Sequence, residues 1–160
     1  MAKAREIPGL AGQLTFCQAA ALAVETRAAE VFELAQNVLD TEDIERVHDM
    51  RVATRRLRAA MEIFETCFPK KAFRATLRDV KALADALGER RDPDVHIEEL
   101  ERIAAALTRE DARGIESLEE ELRASQAAGN ETLAAKLREV EESELQKRLR
   151  GLVISARTSA

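Results

Sequence analysis

Apolar residues in this 160-residue chain return every three or four positions, and nowhere do they alternate with polar ones over the length of a strand. That period is the signature of amphipathic helices and leaves no material for a sheet. Six Gly and three Pro are too few to punctuate many short elements, and Ala, Leu, Glu and Arg dominate, all strong helix formers. The expectation is an all-α fold: an antiparallel helical bundle with a long C-terminal helical segment, in one domain over residues 1–160. That length suffices for a single buried core.

The stripes divide the chain into segments. A first helix is expected from about Leu14 to Leu39, with Ala21, Val24, Ala28, Val31, Phe32 and Ala35 on its apolar side. Asp40 and Thr41 offer caps for a second helix running to about Cys67, before Pro69. A third, from Lys71 to Leu87, presents Phe73, Leu77, Val80, Ala84 and Leu87 and ends at Gly88, a residue suited to a left-handed C-terminal position. Asp92-Pro93 reads as an N-cap and first-turn proline opening a fourth helix to Leu107, with Asp94 a first-turn acid. Residues 14–107 would then form a four-helix core unit, with additional helices over 108–155. After Thr108 the pattern continues through Gly129 to about Val140, and a last helix starts near Ser143. Short connections make neighbours antiparallel.

Cys17 and Cys67 sit at apolar periodic positions and read as small buried hydrophobes in a reducing cytoplasm, not as a disulfide. No apolar run reaches 18 residues, and MAKAREIPGLAGQ lacks the apolar stretch of a signal peptide, so no membrane association is expected and a cytoplasmic location is.

The charge is unevenly spread. Residues 46–91 hold twelve Lys/Arg against six Asp/Glu, a balance of +6, whereas the remainder carries −11. Within the basic stretch lies VHDMRVATRRLR. On a helix, His48, Arg51, Arg55 and Arg58 fall within a sector about 80° wide. Met50, Leu57, Met61, Phe64 and Phe68 form a separate apolar sector. Like charges at i,i+4 repel, so stacking them has a structural cost that a multivalent anion would offset. The ridge spans about 15 Å, which suits a linear polyanion. Arg74, Arg78 and Lys81 repeat the pattern on the third helix. If the two helices are neighbours, both stripes line one groove. Against this stands the plain reading of a solvated face in which Glu62 and Glu65 pair with Arg58. Arg56 points about 80° off the ridge towards Asp49, where an ion pair and a ligand contact both stay open.

Other chemistries find little support. Glu45-x-x-His48 has the spacing of a di-iron carboxylate pair, but Pro93 stands three residues before His96, so no second pair exists and no metal is expected. There is no Gly-rich phosphate loop and no nucleophile with a histidine in sequence reach. Neither catalytic residues nor a cofactor are expected. The five Phe occupy apolar periodic positions or the start of the first helix, which leaves no stacking platform for single-stranded nucleic acid.

VHDMRVATRRLRAAMEIF followed by LRDVKALADALGERRDPDVHIEEL resembles the CHAD domain, the conserved histidine α-helical domain. Its pattern is a helix reading H-x-x-R-V-x-x-R-R-L-R and then a helix ending L-G-x-x-R-D-x-D-V. The resemblance implies an all-α fold whose basic face binds inorganic polyphosphate. It carries His48, Arg51, Arg55, Arg56 and Arg58 over from the first motif, and Arg91, Asp92, Asp94 and Val95 from the second. It also implies an association with polyphosphate granules or with a triphosphate-tunnel domain. The family domain is usually about twice as long, with two helical halves related by a pseudo-two-fold. Nothing after Leu107 repeats the H-x-x-R pattern here, so the chain resembles the first half plus further helices. A homodimer restoring the second half is therefore expected. The competing readings are a structural bundle whose Arg ridge meets an acidic partner and a nucleic-acid-binding module.

Overall fold

The computed structural model describes residues 3–158, without the side chains of residues 109–113. Five helices are joined by short connections: α1 Phe16–Leu34, α2 Ile44–Ile63, α3 Lys70–Ala104, α4 Arg109–Glu142 and α5 Leu145–Thr158, with a 3-10 turn at Glu65–Cys67 between α2 and α3. No strand occurs among the described residues. The expected all-α bundle is what forms.

Local chemistry sets the ends. Thr15 accepts a hydrogen bond from the Gln18 backbone N–H while the Gln18 side chain accepts one from the Thr15 N–H, a reciprocal cap that starts α1. α1 stops earlier than its stripe, at Leu34, and Asn37 takes a left-handed φ of 58° in the turn that follows. Asp40 supports that link by accepting from the Glu42 N–H, and α2 begins at Ile44. Glu144, at φ 51°, separates α4 from α5, two residues from the expected break.

The core is the meeting of the predicted stripes. Ala21, Val24, Ala28 and Val31 of α1, Met50, Leu57 and Met61 of α2, and Phe73, Val80 and Leu87 of α3 are all buried. Leu145, Leu149, Leu152, Val153 and Ala156 of α5 close over them, packing against α1. Phe68 and Phe73 stack with ring centroids 5.7 Å apart where α2 turns into α3.

Two expectations are corrected. Gly88 and Pro93 do not separate two helices: α3 is one helix of 35 residues with Pro93 buried inside it. An interior proline usually costs about 3 kcal/mol because it removes a helical hydrogen bond and crowds the preceding turn. The reason it survives lies on α4. Pro93 cannot donate to the Glu89 carbonyl, and Gly129 packs there instead. A Cβ at position 129 would lie 3.2 Å from the Glu89 oxygen and 3.1 Å from the Arg90 Cα, so the backbones touch and a Cα–H can approach the bereft carbonyl. Around this contact a polar network clamps the helices. Arg90, fully buried, pairs with buried Asp94 and donates from Nε to the Asn130 side-chain oxygen at 3.1 Å. Gln126 donates to Asp94 at 2.7 Å, and Asn130 donates to the Leu39 carbonyl. Asp94 is thus a buried counter-ion, not a first-turn acid, and Asp92 caps nothing, since it lies inside α3.

The second correction concerns the cysteines. Cys17 and Cys67 are joined in a disulfide, with Cα atoms 5.2 Å apart. It ties the first turn of α1 to the corner between α2 and α3. The expected free thiols fail because burial on a shared apolar face also brings the two sulfurs together, which a spacing of 50 residues gives no hint of.

Candidate functional site

α2 and α3 run antiparallel, bringing their basic stripes side by side. At one end, Glu62 on α2 accepts from Arg58 Nε at 3.1 Å and pairs with Lys81 Nζ of α3 at 2.9 Å. Midway, Arg51 lies opposite Gly88, its Nε 4.0 Å from where a glycine Cβ would stand. At the other end, Arg91 Nη2 of α3 lies 3.7 Å from Glu45 Oε1 of α2. His48 sits between Glu45 and Arg51 on the same face of α2. The two helices therefore carry basic side chains on adjacent faces.

The side chains differ in how committed they are. Arg51, Arg55 and Arg74 make no hydrogen bond or ion pair among the described residues; Arg55 and Arg74 are exposed and Arg51 is half-buried. Arg58 and Lys81 share one carboxylate. The hydrogen bond from Lys81, joined by that from Arg58, outweighs the opposing effect of desolvation and holds the exposed Glu62 below the usual carboxylate range. Arg78 points outward, with 78% of its side chain exposed, and donates to Asp79. Asp79 also takes Arg148 of α5 at 2.6 Å. Burial works to raise the Asp79 pKa, but the hydrogen bonds from Arg148 and Arg78 outweigh it and leave it lowered. Arg56 is placed elsewhere: it flanks a cleft with Arg5, Glu30 and Glu33 on the α1 side of α2, away from the groove.

Arg91 is unlike the others. It is 8% exposed, and its Nε and Nη1 are buried without a hydrogen-bond partner. Its carboxylate neighbours Glu45, Asp94 and Glu98 stand at 3.7–3.8 Å, close enough for attraction and too far for hydrogen bonds. It is a charged donor with its fork unfilled.

Sequence reasoning missed three contributors: the Glu62–Lys81 link between helices, Asp49, which closes on Glu45 and His48, and the Arg90–Asp94 network that fixes where Arg91 stands. For the first two the only signal was helical register. The third depends on α4, whose approach no local pattern encodes.

Adjacent basic stripes of this kind suit an extended anion, through charge and forked hydrogen bonds. They offer no aromatic platform: Phe68 and Phe73 are buried against each other, and exposed Phe16 rests on Phe64 with ring centroids 4.8 Å apart. No helix among the described residues is long and apolar enough to cross a membrane.

Residues 22–160 match the family model for the CHAD domain. No curated protein and no solved structure matches the chain.

Proposed function

We propose, since the chain belongs to the CHAD domain family, a polyphosphate-binding family, that this protein binds inorganic polyphosphate along the α2–α3 groove without turning it over. His48, Arg51, Arg55, Arg58, Arg74, Lys81 and Arg91 are the contacting residues in this reading. Arg78 gives long-range charge at the rim, and Arg56 is structural. The observation that carries the reading is the pair of adjacent stripes in which Arg51, Arg55 and Arg74 make no hydrogen bond or ion pair among the described residues. Unpaired arginines at helical spacing on two adjacent helices repel one another. A repeating phosphate chain removes that repulsion and gives each fork an acceptor.

Binding of this kind is mostly electrostatic and releases counterions, so it weakens steeply with salt. Calorimetry with long-chain polyphosphate tests it. Arg51→Glu/Arg55→Glu abolishes binding while circular dichroism stays that of a folded helical protein. Unchanged affinity in this variant, or a flat salt response, refutes the assignment. The lack of an aromatic platform supports polyphosphate over single-stranded nucleic acid, and an oligonucleotide is the matched control. The reading includes a pair of chains placing two grooves together. Exposed Val95 and Ile103 of α3, Leu107 of the link that follows and Leu118 of α4 are the apolar surface such pairing would cover. Light scattering that returns a monomer of 17.8 kDa, with and without polyphosphate, removes the dimer.

A further inference from the structure

α5 presents a surface that polyphosphate binding on α2 and α3 does not use. Along its seam with α1, two adjoining cavities open, of about 450 Å3 and about 370 Å3. Phe32 of α1 and Gln146 and Arg150 of α5 line both. Each falls in the size range of small-molecule sites, about 300–1,000 Å3. The larger one is apolar in its depth. Met50 and Leu83, both buried core residues, line it together with Phe32, Leu137, Val140 and Leu145. It therefore reaches from the surface to the centre of the bundle.

The charges at its edge sort into committed and free. Lys147 donates to Glu144, and Arg157 donates to Glu25, so four of them cancel in pairs. Arg150 and Gln146 are exposed and make no hydrogen bond or ion pair among the described residues. They stand at i and i+4, one turn apart on the same face of α5. Glu141 is also uncommitted, and it lines the larger cavity alone. An apolar cavity with a free guanidinium and a free amide at its mouth suits an acidic amphiphile. The guanidinium fork pairs with both oxygens of a carboxylate, and the Gln146 amide has N–H groups to add. A phosphate monoester carries about −1.5 to −2 at neutral pH. Arg150 balances one charge, and Glu141 repels the surplus, so the carboxylate is favoured.

We infer that the cavity bounded by α1, α4 and α5 takes a free single-chain aliphatic carboxylate, its tail against Leu137, Met50 and Leu83 and its head on Arg150 and Gln146. This site is separate from the basic stripes of α2 and α3 and does not rest on what they bind.

Calorimetry of the full chain with octanoate, decanoate and dodecanoate tests it, with decanol as the neutral control. The wild type binds each carboxylate at a single site, and affinity rises about tenfold for every two methylenes added. Arg150→Gln, a change to an exposed side chain, weakens decanoate about tenfold and leaves decanol as it was. No saturable binding of any of the three carboxylates overturns the site. An affinity that ignores chain length overturns the apolar cavity as the seat of the tail. An Arg150→Gln variant that holds decanoate as the wild type does, or that loses decanol equally, overturns the pairing of the head with Arg150. Wild-type protein that sediments with phosphatidylglycerol vesicles yet binds none of the free carboxylates assigns the face to a membrane surface and overturns the proposal.

Discussion

Reducing the Cys17–Cys67 bond should lower the thermal stability of this protein by an amount the structure allows to be worked out. The bond closes a loop across a sequence separation of 50. In the chain-entropy account, holding such a loop shut in the unfolded state contributes about 4 kcal/mol to folding. A protein of this size shifts its melting temperature by about 2–4 °C for each kcal/mol, so reduction lowers Tm by roughly 10 °C. Native packing changes little, because Cys67 stays buried in an apolar cluster with Phe68 and Phe73 whether or not the sulfurs are joined. Differential scanning calorimetry with and without a phosphine reductant measures the shift, and Cys17→Ala/Cys67→Ala gives the matched reference. The wild type falls on reduction and the variant does not respond. Two reactive thiols in the denatured, unreduced protein would show that the bond does not form. A wild type that carries the bond yet melts at the same temperature when reduced would refute the loop-entropy argument. The result also bears on compartment, since a stable disulfide is uncommon in the reducing cytoplasm in which the sequence-based expectation placed the chain.

Gly129→Ala is expected to destabilise by about 1–3 kcal/mol through overpacking, although alanine is the better helix former by about 1 kcal/mol; urea denaturation that shows a gain in stability would mean that α3 and α4 can separate at no cost. Glu62→Gln should tighten polyphosphate binding several-fold by freeing Arg58 and Lys81, which calorimetry reads directly. The same variant reports on pH. Glu62 has a folded pKa below its unfolded value, so its contribution to stability is present above about pH 4.5 and is lost as pH falls through the folded pKa. Melting curves of wild type and Glu62→Gln should differ by a constant amount at neutral pH and converge in acid, and a gap that persists at pH 2 would discount the ion pairs.

What could be read ahead of the structure was what repeats. Met50, Leu57 and Met61 declared the inner face of α2, and the same register put Arg51, Arg55 and Arg58 outside it. A helix decides both faces at once, so a correct core stripe carries a correct ridge with it. What could not be read was what depends on a neighbour. Gly88 and Pro93 carry strong local signals for a helix end and a helix start. Both are overridden, because α4 packs its Gly129 against the turn that Pro93 disturbs and supplies Gln126 and Asn130 to Asp94 and Arg90. Arg56 illustrates the boundary case: its angle away from the ridge was visible, but the cleft with Arg5 and Glu30 that receives it depends on the chain segment before α1. The candidate site followed the same division. The ridge was legible, and the burial of Arg91 with its Nε and Nη1 lacking an acceptor was not, since a buried donor without an acceptor exists only in three dimensions.

α1 and α5 lie against each other, and Arg157 donates to Glu25 across 132 residues of chain. This order of packing has a consequence for synthesis. Chains emerge at about 5–20 residues per second, so α1 leaves the ribosome many seconds before the helix that covers it. Until Leu145, Leu149, Leu152 and Val153 arrive, Val24, Ala28 and Val31 lack part of their cover. The α2–α3 and α3–α4 hairpins are local and can form early, whereas closing the bundle waits on the most distant contact. The nascent protein therefore carries a period of exposed apolar surface that ends only with its last helix, and a stalled or shortened product lacking α5 is the form most prone to aggregate or to be held by chaperones.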